Sequence, residues 1–436
     1  MTTSNDSNSS PVATADQASS NGIQRPPAPP QGRFGLRGFD ALKVRGFQYF
    51  AVSTALQMGA ESMQLLANGW YAYKLTGSTA ILGLTLLAQA IPQIFLSVVG
   101  GAVSDRLPRR TIWMVCVIAS GVLSGWIAVS ILLGTITWVD LVIRSFFFGC
   151  IVAFRMPARQ GTIGDLVGKE RLMSAVSMSQ AIINVMQFVG PAVSGIVIGL
   201  FGIEWAYLVV TALFWLAALC LIPMPYQHRG QAKKGSRGSL FGNMRDGIKY
   251  AVQTPNIAAV LGLTLLGTMC AFPYTSLLPA FAEDILKIGP AQLGILASLS
   301  GVGALSGSIA LTMASPKSRG LLFMRVGMFT GIGLVVFCIS SSYLLSCFIV
   351  VLVGIGQSVR HTLSSTLLQT YTDDAYIGRV LSIQLTQNGL TSLSSFFVAL
   401  YAEAIGVRWA IMTTSVLLVV ISGLYFVFST RLRRLA

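Results

Sequence analysis

The sequence predicts an all-α membrane protein with twelve transmembrane helices arranged as two pseudo-symmetric six-helix bundles. Three observations support this prediction: the apolar composition, the one-sided distribution of the basic residues, and an internal repeat. Of the 436 residues, 53% are hydrophobic and only 10% are charged, whereas typical soluble domains have about 25% charged residues. The composition therefore places most of the chain in lipid.

Segments of about 20 apolar residues, the length that crosses a bilayer, recur along the chain. Twelve are expected, at 47–73, 79–103, 111–134, 138–158, 173–200, 204–223, 256–282, 290–314, 321–341, 343–370, 378–404 and 407–430. They divide into an N-terminal bundle, 41–223, and a C-terminal bundle, 256–436, which ends in a short basic tail.

The polar segments flank these bundles. Residues 1–40 lack the apolar core of a signal peptide, and their Ser, Asn, Pro and Gly content predicts a disordered cytoplasmic tail. The basic segment 224–255 is expected to be a cytoplasmic linker. Its amphipathic end favours either contact with anionic lipid or a solvated connection between the bundles.

The 30 lysines and arginines are distributed unequally between the two sides of the spans. The outer loops contain only three of them: Lys74, Lys287 and Arg408. Arg144 and Arg360 lie within spans, and the rest, including Arg155 and Arg159, are assigned to the inner side. By the positive-inside rule both termini are cytoplasmic. We expect a multi-pass monomer in the cell inner membrane, with lipid and not nucleic acid beside its basic surface.

The two halves of the chain repeat each other. Residues 202–206 read Gly-Ile-Glu-Trp-Ala and residues 406–410 read Gly-Val-Arg-Trp-Ala. The same alignment places Gln180 on Gln384 and Asn184 on Asn388, and Leu82-Gly83 matches Leu293-Gly294. Transporters built from two such halves bind their substrate between the halves near the bilayer midplane.

A short polar turn is expected between the second and third spans, at residues 99–110. It contains one acid, Asp105, among Arg106, Arg109 and Arg110. Gly100 and Gly101 are expected to allow close helix packing, and Asp105 can accept hydrogen bonds from the N-terminus of a neighbouring helix. The turn is either a gating loop or, in the alternative, a set of arginines that only fixes topology.

Two motifs point to a known family. The segment Gly101-Ala-Val-Ser-Asp105-Arg106-Leu-Pro-Arg109-Arg110 resembles the loop motif of the major facilitator superfamily. Gly190-Pro191 with Gly195 is similar to the helix-packing element of its antiporters. The resemblance implies that Asp105 contacts the start of the eleventh span, just after Gly378, and closes the cytoplasmic side in the outward-open state.

Within that superfamily the chain resembles the branch of siderophore exporters and macrolide efflux proteins. Five short stretches have this resemblance: Pro157-Ala158-Arg159-Gln160, Asp165-Leu166-Val167, Gly190-Pro191, Leu367-Leu368-Gln369 and Gly378-Arg379-Val380. The resemblance implies export of a drug, macrolide or siderophore.

A candidate proton-coupling site lies in the first span. Gln57, Glu61, Gln64 and Asn68 share one helical stripe, which faces either a water-filled cavity or other helices through hydrogen bonds. Arg144 is expected at a similar depth. Glu61 and Arg144 are therefore predicted to pair in one transport state and separate in the other, unless they form a static ion pair.

Candidate substrate-binding residues occur in both halves. Gln357, Arg360 and His361 lie together in the tenth span, where Arg360 can bind an anion and His361 can take a proton. The alternative places Arg360 at the inner interface and His361 in the core. Gln180 and Asn184 in one half and Gln384 and Asn388 in the other form matching polar faces, and Phe147, Tyr274 and Phe396 suit a bulky amphiphile.

The sequence thus favours a secondary active transporter that exports an amphiphilic small molecule in exchange for protons by alternating access. An importer or facilitator with the same fold, and a non-transporting receptor or scaffold, stay open. No Walker A loop or catalytic Ser/His/Asp or Cys/His spacing is present, so no enzyme activity is expected. The six cysteines lie in apolar spans without metal-ligand spacing, and neither a metal nor a cofactor is expected.

Overall fold

A computed structural model of the chain describes Thr2 and residues 41–225, 249–314, 318–373 and 376–429. The predicted tail, 1–40, most of the linker, 224–255, and the last residues of the chain lie outside the described residues. So do the side chains of residues 381–388, which include Gln384 and Asn388. Elsewhere the regular structure of the described residues is helical.

The N-terminal bundle contains five helices, one of which crosses the membrane twice. They are α1 (Arg45–Thr76), α2 (Thr79–Arg106), α3 (Arg109–Leu132), α4 (Trp138–Phe201) and α5 (Ile203–Leu221). Gly168, at φ 70° and ψ 177°, divides α4 into a first and a second segment. The predicted end of the fourth span at residue 158 is therefore wrong, because the helix continues to this glycine.

The C-terminal bundle repeats the pattern. It contains α6 (Pro255–Ala271), α7 (Pro273–Phe281), a π-helical turn (Ala282–Leu286), α8 (Pro290–Ala314), α9 (Arg319–Ile339), α10 (Tyr343–Tyr371), α11 (Ile377–Ile405) and α12 (Val407–Phe428). α6 and α7 form one interrupted pass, since Pro273 has no backbone N–H to continue the α6 ladder.

Nine helical segments in the described residues are long and apolar enough to cross a membrane. Three further helical segments are α1, the first segment of α4, and α11. The first two contain the ionic and amide residues of the candidate site, and the apolar stretch described in α11 is Gly389–Ile405. The helices are arranged as the expected two bundles, and the count of twelve membrane passes stays a prediction.

Glycines at matching positions confirm that the two halves are equivalent in structure. Gly202 and Gly406 both adopt positive φ, 104° and 90°, at the corners that the repeat predicts. Gly149 packs the first segment of α4 against the Gln89 carbonyl of α2, as Gly354 packs α10 against the Ser300 carbonyl of α8. A side chain at either glycine would collide with that backbone.

The two bundles meet at one end, which the charge distribution predicts to face outward and which we call the outer end. There the predicted packing element lies between bundles: Gly195 and the Pro191 carbonyl contact Gly294 of α8. Gly190 packs inside its own bundle against Ser62. One apolar core crosses both bundles at this end, containing Trp70 and Leu82 from one and Leu277 and Leu293 from the other.

The bundles separate towards the opposite, inner end. The core divides there into one cluster for each bundle. Met173 and Met313 lie on the same two helices that pack together at Gly195 and Gly294, yet they are 79% and 81% exposed. The described residues therefore form a cleft that is closed at the outer end and open at the inner end.

Polar contacts join the bundles at the outer end, and we call this set the outer latch. Glu403 of α11 accepts hydrogen bonds from the backbone N–H groups of Thr79, at 2.7 Å, and Ala80, at 3.1 Å, at the start of α2. The Tyr73 hydroxyl donates to Asp284 at 2.6 Å, and Lys74 pairs with Glu283 at 3.2 Å. A carboxylate at a helix N-terminus is stabilised by the helix dipole.

Candidate functional site

A buried ion pair connects α1 to the first segment of α4. The Arg155 Nη2 atom lies 2.8 Å from Glu61 Oε1. The side chain of Arg155 is 1% exposed and that of Glu61 is 23% exposed. Arg155 Nη1 also donates to the Ser120 hydroxyl of α3 at 3.3 Å. A buried charge without a partner costs several kcal/mol, so removal of either member of this pair is expected to be destabilising.

In this conformation the partner of Glu61 is not the predicted one, and its pairing with Arg144 in another transport state stays a prediction. The structure pairs it with Arg155 and not with Arg144, and it buries Arg155 and Arg159 where the sequence analysis assigned both to the inner surface. At 1.5 Å per residue, Glu61 lies about 22 Å from the outer end of α1 and Arg155 about 25 Å from that of α4, whereas Arg144 is only about 9 Å deep. The unbroken helix up to Gly168 thus brings Arg155 to the depth of Glu61.

Amide side chains hold the carboxylate in place. Gln57 Nε2 donates to Glu61 Oε1 at 2.7 Å, and its Oε1 accepts from Trp113 Nε1 at 2.6 Å. Gln64 Nε2 instead donates to the Ser124 hydroxyl at 2.7 Å. Both glutamines are buried, so they serve helix packing and do not face a water-filled cavity. Asn68, also on this stripe, is half-buried, and its Oδ1 has no partner among the described residues.

Two further arginines of the first segment of α4 are buried near the Glu61–Arg155 pair. Arg144 and Arg159 are 3% and 5% exposed, and the Nε atoms of both have no hydrogen-bond partner among the described residues. The ring of Phe148 lies 4.6 Å from the Arg144 guanidinium carbon and 5.3 Å from that of Arg155. Such cation–π contacts partly replace the lost hydration of the guanidinium groups. The interior of this bundle is therefore positively charged.

In the C-terminal bundle, Arg360 of α10 is 7% exposed and points to α6. Its Nη1 donates to the Thr264 carbonyl at 3.5 Å, and its Nη2 donates to the Thr268 hydroxyl at 3.3 Å. Gly267 provides the space for this approach, since a side chain there would collide with the guanidinium. Arg360 thus packs within its bundle and does not extend to the inner interface. His361 is exposed beside it, outside the core.

The other predicted binding residues are not gathered at one point. Gln180 donates to Asn184 at 3.0 Å on the second segment of α4. Tyr274 was expected to offer an aromatic surface to a ligand, but it is 3% exposed in the apolar core and packs edge-on against Phe337. Phe147 is 50% exposed and packs edge-on against Phe146.

The predicted gating loop is shorter than expected. α2 continues to Arg106 and α3 begins at Arg109, so only Leu107 and Pro108 connect them, and not the whole of 99–110. Gly100 packs closely against Ala153, but a side chain at Gly101 would meet nothing, so the packing role expected for Gly101 was wrong.

The arginines of this loop have distinct contacts. Arg109 lies 3.3 Å from Asp105 and 3.3 Å from Asp165 of the first segment of α4. Arg110 donates to the Leu221 carbonyl at 2.8 Å, at the end of α5. Arg106 is exposed. The carboxylate of Asp105 is 74% exposed, so it remains accessible to a further partner in this conformation.

Sequence reasoning missed the roles of Arg155 and Trp113. For Arg155 a signal existed, because the apolar residues around Arg155 and Arg159 continue the helical pattern past residue 158. For Trp113 there was none, since its contact with Gln57 depends on how α1 and α3 pack.

Two repeated bundles around a cleft, with a buried Glu–Arg pair, define a major facilitator transporter. Within this class the chain belongs to the transmembrane secretion effector family, whose profile matches residues 38–435. It is therefore a multi-pass membrane transporter and not an enzyme.

Curated relatives are siderophore transporters. The staphyloferrin A transporter of Staphylococcus aureus (strain NCTC 8325 / PS 47) is 21% identical over 387 residues, covering 88% of this chain and 96% of the relative. The enterobactin exporter EntS of Shigella boydii serotype 4 (strain Sb227) is 24% identical over 322 residues, covering 72% of this chain and 74% of the relative.

Solved structures share the fold at low sequence identity. A bacterial homologue of the human lysosomal transporter Spinster, inward-facing and unoccupied, matches 92% of this chain and 98% of its own with a TM-score of 0.72 and 13% identity. The nucleoside transporter NupG matches 88% of this chain and 99% of its own with a TM-score of 0.68 and 14% identity. These similarities concern the fold alone.

Proposed function

We propose that this protein is a proton-coupled antiporter that exports an amphiphilic small molecule, such as a siderophore, macrolide or drug, across the inner membrane. Both termini are cytoplasmic in this proposal, so the open end of the cleft faces the cytoplasm. The single observation that carries the proposal is the Glu61–Arg155 pair, a titratable group buried between helices of a moving bundle.

The coupling step follows from this geometry. Protonation of Glu61 removes its charge and leaves Arg155 without its ionic partner, which favours a different arrangement of α1 and α4. Arg144 contacts the same Phe148 ring as Arg155 and is the second cation available to Glu61. Exchange of partners would connect the protonation state to the conformation. His361 is a second candidate proton acceptor.

In this proposal the cleft binds the substrate, and the loop between α2 and α3 closes the inner end. Gln180 and Asn184, with Gln384 and Asn388 at equivalent sequence positions, are proposed to bind polar groups of the substrate. In the outward-open state the exposed Asp105 would cap the start of α11 and close the inner end, as Glu403 caps α2 at the outer end in the present conformation.

The test is transport by purified protein in liposomes with an imposed pH gradient, using enterobactin and erythromycin as probes. We expect both to move against the proton gradient in the wild type. Glu61→Gln should lose the gradient-driven component, while Asp140→Asn, which removes an acid at the outer start of α4, should keep it.

A second variant separates coupling from stability. Glu61→Gln leaves Arg155 buried without an acid and is expected to cost about 3 to 5 kcal/mol. Glu61→Gln/Arg155→Gln removes both charges, so it should recover thermal stability but not proton-driven transport. Full gradient-driven export by either variant would reject the coupling role. Accumulation of the probes on the cytoplasmic side would indicate an importer instead.

A further inference from the structure

Arg155 and Arg360 occupy equivalent positions in the two bundles. Arg155 lies six residues after Gly149, which packs its helix against α2. Arg360 lies six residues after Gly354, which packs its helix against α8, the counterpart of α2 in the other bundle. Each guanidinium then crosses to the first pass of its own bundle, Arg155 to α1 and Arg360 to α6. The internal repeat therefore builds the same buried arginine twice.

The two copies differ in the partner that the first pass provides. Arg155 meets the carboxylate of Glu61, whereas the hydrogen bonds of Arg360 within the described residues go to the Thr264 carbonyl and the Thr268 hydroxyl. No acidic side chain pairs with Arg360 among the described residues, and the nearby titratable groups are Cys270 and His361. A guanidinium that is 7% exposed thus lacks the acid that its counterpart has.

Hydrogen-bond donors without acceptors lie beside the Arg360 guanidinium. Arg360 Nε is buried without a partner among the described residues, and so is Gln357 Nε2, one helical turn earlier on the same face of α10. Burial of donors without acceptors is unfavourable, and a charged donor is the most costly case. The two groups together match a carboxylate or a similar oxyanion, which accepts from both at once.

We propose that the substrate is an anion and that one of its acidic groups binds Arg360 and Gln357, replacing the carboxylate that the C-terminal bundle lacks. This inference rests on the proposed transport function, since it names the chemical class of that substrate. The N-terminal bundle also buries Arg144 and Arg159 without an acidic hydrogen-bond partner among the described residues, so its interior has the same sign of charge. A neutral or cationic molecule would leave Arg360 without an ionic partner.

The test introduces an acidic side chain next to Arg360 by substitution. Thr268→Glu places a carboxylate opposite Arg360, as Glu61 stands opposite Arg155, and Thr268→Gln is the matched neutral control. Binding to the purified full-length protein is measured with two dyes that share a xanthene skeleton, the anion fluorescein and the cation rhodamine 6G. Thermal unfolding of each variant checks that it is folded.

We expect the wild type and Thr268→Gln to bind fluorescein, and Thr268→Glu and Arg360→Gln to bind it at least about tenfold more weakly, the loss typical of a hydrogen bond to a charged group. Binding of rhodamine 6G should not decrease in Thr268→Glu. Equal fluorescein binding by wild type and Thr268→Glu, or no binding by the wild type, would overturn the proposal.

Transport distinguishes this inference from the proposed function. Gradient-driven export of rhodamine 6G, combined with no fluorescein binding, would contradict the anion site and leave the antiporter intact. Fluorescein binding that depends on Arg360, without proton-driven transport, would support the anion site and contradict the proposed antiport.

Discussion

Gln57 and Gln64 are two buried glutamines on one face of α1 that have different partners. Gln57 connects the Trp113 indole to the carboxylate of Glu61, whereas Gln64 bonds the Ser124 hydroxyl and does not contact the ion pair. Gln57 therefore helps to position the Glu61 carboxylate beside Arg155, whereas Gln64 does not.

Gln57→Leu should slow gradient-driven transport more than Gln64→Leu, the matched control, because only Gln57 holds the Glu61 carboxylate in place. Each variant leaves a buried partner unsatisfied, and each should lose about 1 to 3 kcal/mol of stability. The rate of gradient-driven transport in liposomes checks the difference. Equal rates for the two variants would mean that Gln57 only packs α1 against α3.

At the scale of helices, the outer latch joins α11 to the start of α2 through Glu403. This acid also accepts from the hydroxyls of Ser78, at 3.1 Å, and Thr79, at 2.9 Å, so it satisfies two backbone N–H groups and two hydroxyls at that helix N-terminus. The partner helix belongs to the other bundle. A helix cap thus also forms a contact between the two bundles.

Glu403→Gln should open the outer end. Loss of the charge at the helix N-terminus costs about 0.3 to 1 kcal/mol, which raises the population of the outer-open state about two- to fivefold. Hydrogen–deuterium exchange of a peptide that covers the start of α2 measures this opening. Glu204→Gln, at the outer end of α5 and within one bundle, should leave the exchange unchanged. Slower or equal exchange in Glu403→Gln would exclude a latch.

Across the whole molecule, the apolar core is continuous between bundles at the outer end and divided at the inner end. Backbone contact at Gly195 and Gly294 makes the outer junction tight, and the exposed Met173 and Met313 mark where the same two helices separate. Rocking of rigid bundles about the cleft would open one end as it closes the other.

Spin labels at Met173 and Met313 should report a long distance that shortens when the inner end closes. The distance between labels at Leu75 and Tyr401, which are exposed at the outer end, should increase in the same step.

Asp105→Asn should reduce the inner-closed population about two- to fivefold, because a charge at a helix N-terminus contributes about 0.3 to 1 kcal/mol. Double electron–electron resonance in lipid nanodiscs measures both pairs. A change at one end alone would contradict rigid rocking.

Much of the architecture was predictable from local sequence. Apolar length predicted the passes, and the matching corners at Gly202 and Gly406 predicted the repeat. The errors arose where polar residues lie inside helices. Arg155 and Arg159 were assigned to the inner side, but the structure buries both, and a neighbouring helix provides the acid that offsets the cost of burying Arg155.

The sequence by itself determined the class of protein, because hydropathy, the repeat and the loop motif are properties of contiguous residues. The tertiary structure alone decided that Glu61 pairs with Arg155, that Gln57 and Gln64 face other helices, and that Arg360 meets threonines in place of an acid. The physical reason is that a buried charge takes its partner from another helix. That choice depends on helix depth and rotation, which the order of residues along one segment does not specify.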